Sequence, residues 1–329
     1  MKKTIIHTSR LLLGLIAISS LILITCLFIF ARREAVPEKP DEIITAQRYA
    51  VYPVELPEEL EFAGERVPLE YIDVRENLER ELLINVYWQS HTLLLLKRAN
   101  RYFPVIEPIL RKNDVPDDMK YMAVAESDLT MAVSPDQAVG FWQFVSSAAR
   151  ENGLEVNREV DERYHIKKST HAACRFLKES YDRYGSWAMA AASYNMGRSG
   201  LNEQINRQNV NNYYDLLLNE ETGRFIYRIL ALKLILSDPG SYGFYIEPED
   251  LYTEIPTYEV TVDGPVEDFA DFASKYNINY KVLKMFNPWL RDNKLVNSAG
   301  KKYYIEIPRD GFRSGEYGAV EDWSSGRVE

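Results

Sequence analysis

The sequence predicts a mainly α-helical protein that ends in a small βααβ module. Three observations lead there. Between Val74 and Ser237 apolar residues recur at helical spacing, with no strand-like alternation of any length. After about Tyr252 the pattern changes, and two alternating stretches enclose two short helical ones. The chain has 329 residues, 46% of them hydrophobic, enough for one sizeable core and a smaller unit.

Taken in order, Leu11 to Ala31 is a nearly unbroken apolar stretch, preceded by Lys2, Lys3 and Arg10 and followed by Arg32 and Arg33. About 20 such residues cross a bilayer as a helix, so residues 1–33 read as an uncleaved membrane anchor. Leu23-Ile24-Thr25-Cys26 resembles a poor lipoprotein box, and a lipoprotein is the second reading. A cleaved signal peptide would have a shorter apolar core ending in small residues. Residues 34–57 are charged and contain proline, the composition of a linker.

Residues 58–240 read as the helical unit. Arg75 to Tyr102 carries long apolar runs of period 3.6, with room for a break near Ser90. Phe103-Pro104 is expected to end this helix, because proline clashes with the preceding turn. Pro116 sits where the next helix begins, and Asp117 and Asp118 suit its positive end. Ser134-Pro135-Asp136-Gln137 signals a turn. Ser169 is the expected N-cap of a helix from Thr170 to Tyr184, which Gly185 stops. Ser186 caps a further short helix, stopped by Gly197. Thr222 precedes the apolar helix Phe225 to Leu236, closed by Asp238-Pro239-Gly240. In residues 252–308, Tyr258 to Val262 and Lys302 to Pro308 alternate like strands, and Val266 to Tyr276 and Asn279 to Phe286 read as helices. Residues 309–329 are polar and contain Gly and Ser, as a disordered tail would.

Composition excludes some functions. A net charge of −10 and a pI near 5.2 argue against a nucleic-acid partner. Cys26 lies in the apolar run and Cys174 in a core helix, so no disulfide framework is expected, and Cys174 reads as a small buried hydrophobe. His7, His91, His165 and His171 form no metal-ligand spacing, so no metal or other cofactor is expected.

One acid stands out. Met119, Met122, Ala123 and Glu126 fall at i, i+3, i+4 and i+7, so Glu126 shares a face with apolar side chains. Burying an ionised carboxylate is costly unless it is paired or stays protonated, and a protonated carboxyl near neutral pH is what a general acid needs. The alternative is a Glu at a helix end that turns to solvent.

Three segments decide between these readings: Glu126-Ser127, Gly140-Phe141-Trp142-Gln143-Phe144 and Ala192-Ser193-Tyr194-Asn195-Met196-Gly197. In order and spacing, over about 75 residues, they resemble the catalytic domain of lytic transglycosylases of the soluble-lytic-transglycosylase (SLT) type, a lysozyme-like all-α fold. Trp-Gln-Phe, with Asp161-Glu162-Arg163-Tyr164 and Ser169-Thr170 downstream, is similar to the membrane-bound murein transglycosylase D branch. Phe62-Ala63-Gly64-Glu65 and Lys97 to Pro104 extend the likeness upstream. The C-terminal module, with Asn287-Pro288-Trp289-Leu290, resembles a divergent LysM domain, a type that binds N-acetylglucosamine polymers. Trp289 and Leu290 are expected either to meet glycan or to belong to the module's own core. Two positions depart from the family: Gln137 and Ser193 stand where Gly and Ala are usual. The first puts the loop conformation in question, because only Gly readily takes φ > 0.

The resemblance implies a chemistry. The family cleaves the β-1,4 bond between N-acetylmuramic acid and N-acetylglucosamine in peptidoglycan, and the muramic acid's own C6 hydroxyl displaces the leaving group to give a 1,6-anhydro product. Most glycosidases need two carboxylates. An intramolecular nucleophile, with an effective molarity of about 10⁵ M or more, leaves one sufficient. By the family pattern Glu126 is the acid and base, Tyr194 hydrogen-bonds it, and Asn195 binds polar groups of the substrate. Ser127 orients Glu126 or meets the N-acetyl group, and Gln143 and Phe144 line the cleft. Asp128 and Asp161 are the other nearby acids, and Asp161 reads as a structural ion pair or helix cap. The implied partners are peptidoglycan strands and, through the N-terminal segment, a membrane of the cell envelope, facing the periplasm. The alternatives are a muramidase-type hydrolase and a non-catalytic cell-wall glycan-binding protein.

Overall fold

The computed structural model describes residues 51–313. The apolar stretch at residues 11–31, most of the linker and the tail beyond residue 313 lie outside the described residues, and with them the anchor, lipoprotein and tail readings. No helix among the described residues is long and apolar enough to cross a membrane. The unit described below begins at Val54. Val54 and Leu56 already pack against its core, ahead of residue 58.

A short hairpin comes first, β1 (Glu61–Phe62) with β2 (Glu65–Arg66), too brief to leave a periodic signal. Ala63 and Gly64 turn it with φ of 53° and 81°. Two helices follow, α1 (Ile72–Tyr87) and α2 (Gln89–Lys112), with Trp88 as the joint. The expected stop at Phe103-Pro104 does not occur. α2 runs through Pro104 and Pro108. A proline inside a helix costs about 3 kcal/mol. Ile106 and Leu110 beyond it are fully buried, each worth about 1.5–3 kcal/mol, and Phe103 packs edge-on against Tyr121. With Ile109 and Phe103 also packed against the core, tertiary burial offsets the two local breaks.

Pro116 opens a 3₁₀ turn, Asp117–Met119, that leads into α3 (Lys120–Ser127). A short α4 (Ser146–Glu151) follows the loop after it. α5 (Ile166–Tyr184) starts four residues before the expected first residue, Thr170. Ser169 lies inside the first turn, and its hydroxyl donates to His165 O at 2.9 Å and Ile166 O at 3.1 Å, a back-bond that fits mid-helix. Gly185 ends α5 at φ 69° as expected.

α6 (Trp187–Met196) is capped by Ser186, whose Oγ accepts from Met189 N at 3.4 Å. Glu65 of β2 accepts from Trp187 N, from Ala188 N at 3.2 Å and from Ser186 Oγ at 2.8 Å, so the hairpin supplies a carboxylate to the helix's positive end. α7 (Arg198–Gln208) buries only Leu201, and its polar sequence gave no signal. α8 (Glu220–Ser237) begins earlier than expected, because Asn219 caps it by accepting from Thr222 N at 2.8 Å. Asp238 ends it.

The module is built as expected. β3 (Thr257–Val262) pairs antiparallel with β4 (Tyr303–Pro308), and between them lie α9 (Phe269–Ser274) and α10 (Tyr280–Phe286). Asp268 and Asn279 cap the two helices.

Two cores result. The first is helical, centred on Leu78, Leu82, Met122, Ala190 and Ile229, and includes Cys174. Burial pushes the Cys174 thiol up to about 12, so it stays an inert thiol. The second core joins Phe269, Leu283, Ile305 and Ile307 of the module to Val139, Val160 and Tyr164 of the helical part. Asp161 N donates to Trp289 O at 2.9 Å, and Arg291 N donates to Glu159 O at 2.7 Å. Trp289 is 2% exposed and stacks between His165 and Tyr303. Of the two expectations for Trp289 and Leu290, core packing is the one seen.

Candidate active site

Three helix ends meet at one end of the bundle. They are the C-terminal ends of α3 and α6 and the N-terminal end of α8. α3 delivers Glu126, α6 delivers Tyr194 and Asn195, and α8 delivers Glu221 and Thr222. Asn195 Oδ1 accepts from Thr222 Oγ1 at 2.7 Å, and Asn195 Nδ2 donates to Glu221 at 3.4 Å. Asn195 thus ties α6 to α8 at the mouth of the site.

Glu126 is partly open at its surface but closely surrounded. Burial pushes its carboxyl up to about 8. Arg228 pulls it down and the like charge of Glu221 pushes it further up. Among the described residues no hydrogen bond engages the carboxyl group. Arg228 and Glu221 were not found from the sequence. Glu221, Arg224 and Arg228 lie at i, i+3 and i+7, a polar stripe on an otherwise apolar helix, which is the signal that could have found them. Glu81 of α1, 1% exposed, holds Arg224 at 2.7 Å and lies 4.0 Å from Arg228.

Tyr194 approaches Glu126 closely enough for that charge to help raise its phenol well above its usual value, after burial, the larger cause. Its hydroxyl, however, donates to Trp142 O at 2.6 Å and not to Glu126. The ring packs edge-on against Phe144 at 5.6 Å and Phe176 at 5.1 Å. Tyr194 therefore fixes the loop beside Glu126.

Ser127 does the same from the other side. Its buried Oγ shares its proton between Ala123 O at 3.1 Å and Phe141 O at 3.0 Å. Gln143 turns back into its own loop, where Nε2 donates to Gly140 O at 2.8 Å and Ala132 O at 3.1 Å. Phe144 is 3% exposed and packs in the core. These three residues build the loop that walls the site.

The loop is clamped from outside by a residue that the sequence singled out only as a neighbour of Asp161. Arg163 makes a two-pronged pair with Asp161, Nη2–Oδ2 2.7 Å and Nε–Oδ1 2.9 Å, and Nη1 donates to Gln137 O at 3.0 Å and Phe144 O at 3.1 Å. Asp161 also accepts from Arg163 N at 3.2 Å, so it is both ion pair and cap. Trp142 Nε1 donates to Thr170 Oγ1 at 2.9 Å.

The two departures from the family pattern now have physical accounts. Gln137 takes φ 61° without the freedom of Gly. Gln137→Gly is expected to stabilise the fold by about 0.5–1 kcal/mol, read as a raised denaturation midpoint. Ser193 is fully buried, and its hydroxyl donates to Ala190 O at 2.8 Å, so the extra oxygen is satisfied. Among the described residues no three His, Cys, Asp or Glu side chains converge as metal ligands would.

Two family models match the chain. A family model described as the transglycosylase SLT domain matches residues 103–217. One described as the soluble lytic transglycosylase C-terminal LysM-like domain matches residues 258–311. The chain carries an SLT domain and a LysM-like module. Membrane-bound lytic murein transglycosylase D of Escherichia coli strain K12 is 28% identical over 261 residues, as is its counterpart from strain O6:H1. The match spans 75% of this chain but only 56% of the relatives' length. The SLT match contains Glu126, Ser127, Gln143, Phe144, Tyr194 and Asn195. α1, the first half of α2 and α8 lie outside it, and they bring Glu81, Glu221 and Arg228 to the SLT domain's site.

Proposed function

We propose that this protein is a peptidoglycan lytic transglycosylase that cleaves the β-1,4 bond between N-acetylmuramic acid and N-acetylglucosamine, with Glu126 as its single acid and base. The observation that carries the reading is the Glu126 carboxyl, pushed up to about 8 by burial and free of hydrogen bonds at an accessible site. At neutral pH such a group holds a proton. It gives that proton to the glycosidic oxygen as the C1–O bond breaks. The C6 hydroxyl of the same muramic acid then bonds to C1, and its proton passes to the Glu126 carboxylate. A 1,6-anhydro ring is left, the acid is restored, and no water enters. The reading includes an anchored, periplasm-facing location in the cell envelope, in line with the name of the Escherichia coli relatives.

The rest of the site serves that step. Asn195, set between Glu221 and Thr222, has amide groups at the mouth for substrate. Arg228 and Glu221 set opposite charges on Glu126 and hold its proton affinity near the working pH. The pH dependence follows with its sign. Turnover needs the protonated carboxyl, so it is expected to fall as pH rises through about 8. Removing the like charge with Glu221→Gln moves this limb to lower pH. Glu221 is also the feature on which a hydrolytic reading would rest, since it would be the second carboxylate.

The experiment is incubation of purified peptidoglycan with the protein without added metal or nucleotide, following release of soluble fragments. Fragments released by the protein and not by Glu126→Gln support the reading, and no release by the unaltered protein contradicts it. Tyr194→Phe is expected to fold, to lose about 1 kcal/mol of stability with the Trp142 O bond, and to turn over about tenfold more slowly as the loop loosens. Thermal unfolding and fragment release measured side by side check it.

A further inference from the structure

Trp88 stands apart at this end of the bundle. It is the joint between α1 and α2, and 57% of its surface is exposed. The backbone around it is fixed. Trp88 N donates to Ile84 O at 3.0 Å, Thr92 N donates to Trp88 O at 3.1 Å, and Thr92 Oγ1 donates to Asn85 O at 2.5 Å. The indole stacks on His91, with centroids 3.9 Å apart and planes 10° apart. His91 Nε2 lies 3.0 Å from Asp128 Oδ2, and Arg98 Nη1 donates to Asp128 O at 3.1 Å. Asp128 is two residues past Glu126. The result is a rigid aromatic plate, backed on one side and open to solvent elsewhere, tied to the end of the helix that carries the acid.

Stability does not explain this arrangement. An indole left mostly in water contributes little burial. His91 Nδ1 is buried without a hydrogen-bond partner, which itself disfavours the fold. A flat apolar surface held still at a cost beside a reactive group is what a ligand with a flat apolar face would use.

We propose that Trp88, backed by His91 and Asp128, is a glycan subsite on which the C–H face of a pyranose ring stacks while a neighbouring sugar lies at Glu126. The proposal rests on the glycan-cleaving reading above. It places part of the substrate site in the N-terminal helices, which the SLT match from residue 103 does not cover. Trp88 positions substrate and takes no part in the proton transfers.

Two measurements test it on the full chain. In steady-state cleavage of long peptide-free glycan strands, Trp88→Ala is expected to raise KM about 10-fold with kcat within about 3-fold, as loss of one aromatic contact would. Trp88→Phe keeps a ring and restores most of the loss. In the second, the Glu126→Gln protein is titrated with the same strands and tryptophan emission is followed. The double variant keeps the other four tryptophans, so a binding-linked change that disappears in Glu126→Gln, Trp88→Phe belongs to Trp88. Unchanged KM and an unchanged emission response would overturn the subsite while leaving the transglycosylase reading intact. If the unaltered protein neither cleaves nor binds the strands, both fall. If Trp88→Ala unfolds, the Trp88→Phe emission result alone decides.

Discussion

Glu126→Gln is expected to keep the fold and lose turnover by about 10²–10⁴-fold or more, the range for removing a general acid. The amide has the same shape but cannot give up a proton to the leaving oxygen or take one from the C6 hydroxyl. The same substitution carries a stability signature. The carboxyl's folded value is about 8, above its usual 4.5, so the folded state binds the extra proton between those values. Its contribution is therefore fully present below about pH 4.5 and is lost as pH rises through 8. Gln has no proton to lose. Glu126→Gln should match the parent's stability near pH 4 and exceed it above pH 8, by on the order of 1 kcal/mol or more. Thermal unfolding at the two pH values, beside an activity assay, reads both effects. A variant that is inactive but also less stable at pH 8 would show that Glu126 is held as a paired carboxylate.

Gly140→Ala is expected to give the largest loss of stability. Gly140 has φ 78°, and a Cβ there would lie 2.2 Å from Arg163 O and 3.1 Å from Arg163 C. These are backbone atoms of a segment fixed by the Asp161 pair and by the module, so they cannot swing aside as a side-chain tip could. The loop from Gln137 to Phe144 must then leave the Arg163 clamp. Release would break the Arg163 bonds to Gln137 O and Phe144 O and disturb the Ser127 and Tyr194 anchors. About 3 kcal/mol or more is expected, with activity falling in parallel. Gly64→Ala is the control. Gly64 has a similar φ of 81° but nothing within 4 Å of the added carbon, so it should lose only about 1 kcal/mol. Chemical denaturation of the two variants separates backbone strain from collision. Equal losses would mean that the close approach to Arg163 is not what fixes this loop.

The sequence revealed local chemistry well and long-range packing poorly. Gly185, Ser186, Gly197 and Asp238 marked helix ends correctly because capping depends on the nearest few residues. Pro104 misled because its local cost is outweighed by Ile106 and Leu110, whose burial depends on residues far along the chain. Ser169 misled for a related reason, since a serine can also back-bond to the preceding turn inside a helix. In the site, Glu126 was legible as an acid on an apolar face. The partners that tune it, Arg228 and Glu221, were not, because only tertiary packing of α8 against α3 brings them there. Tyr194 was found through the resemblance, but its bond to Trp142 O could not be read from spacing.

The central claim is that one carboxyl, Glu126, acts with the substrate's own hydroxyl and without water. The mass of the released disaccharide-peptides tests it most directly. Digestion of purified peptidoglycan in ¹⁸O-labelled water should give fragments lighter by one water than the reducing-end products of a hydrolase, carrying no label and ending in 1,6-anhydro-N-acetylmuramic acid. Glu126→Gln should release none, and Glu221→Gln should release the same anhydro ends. Reducing ends that carry the label and disappear with Glu221→Gln would contradict the account and identify a two-carboxylate hydrolase.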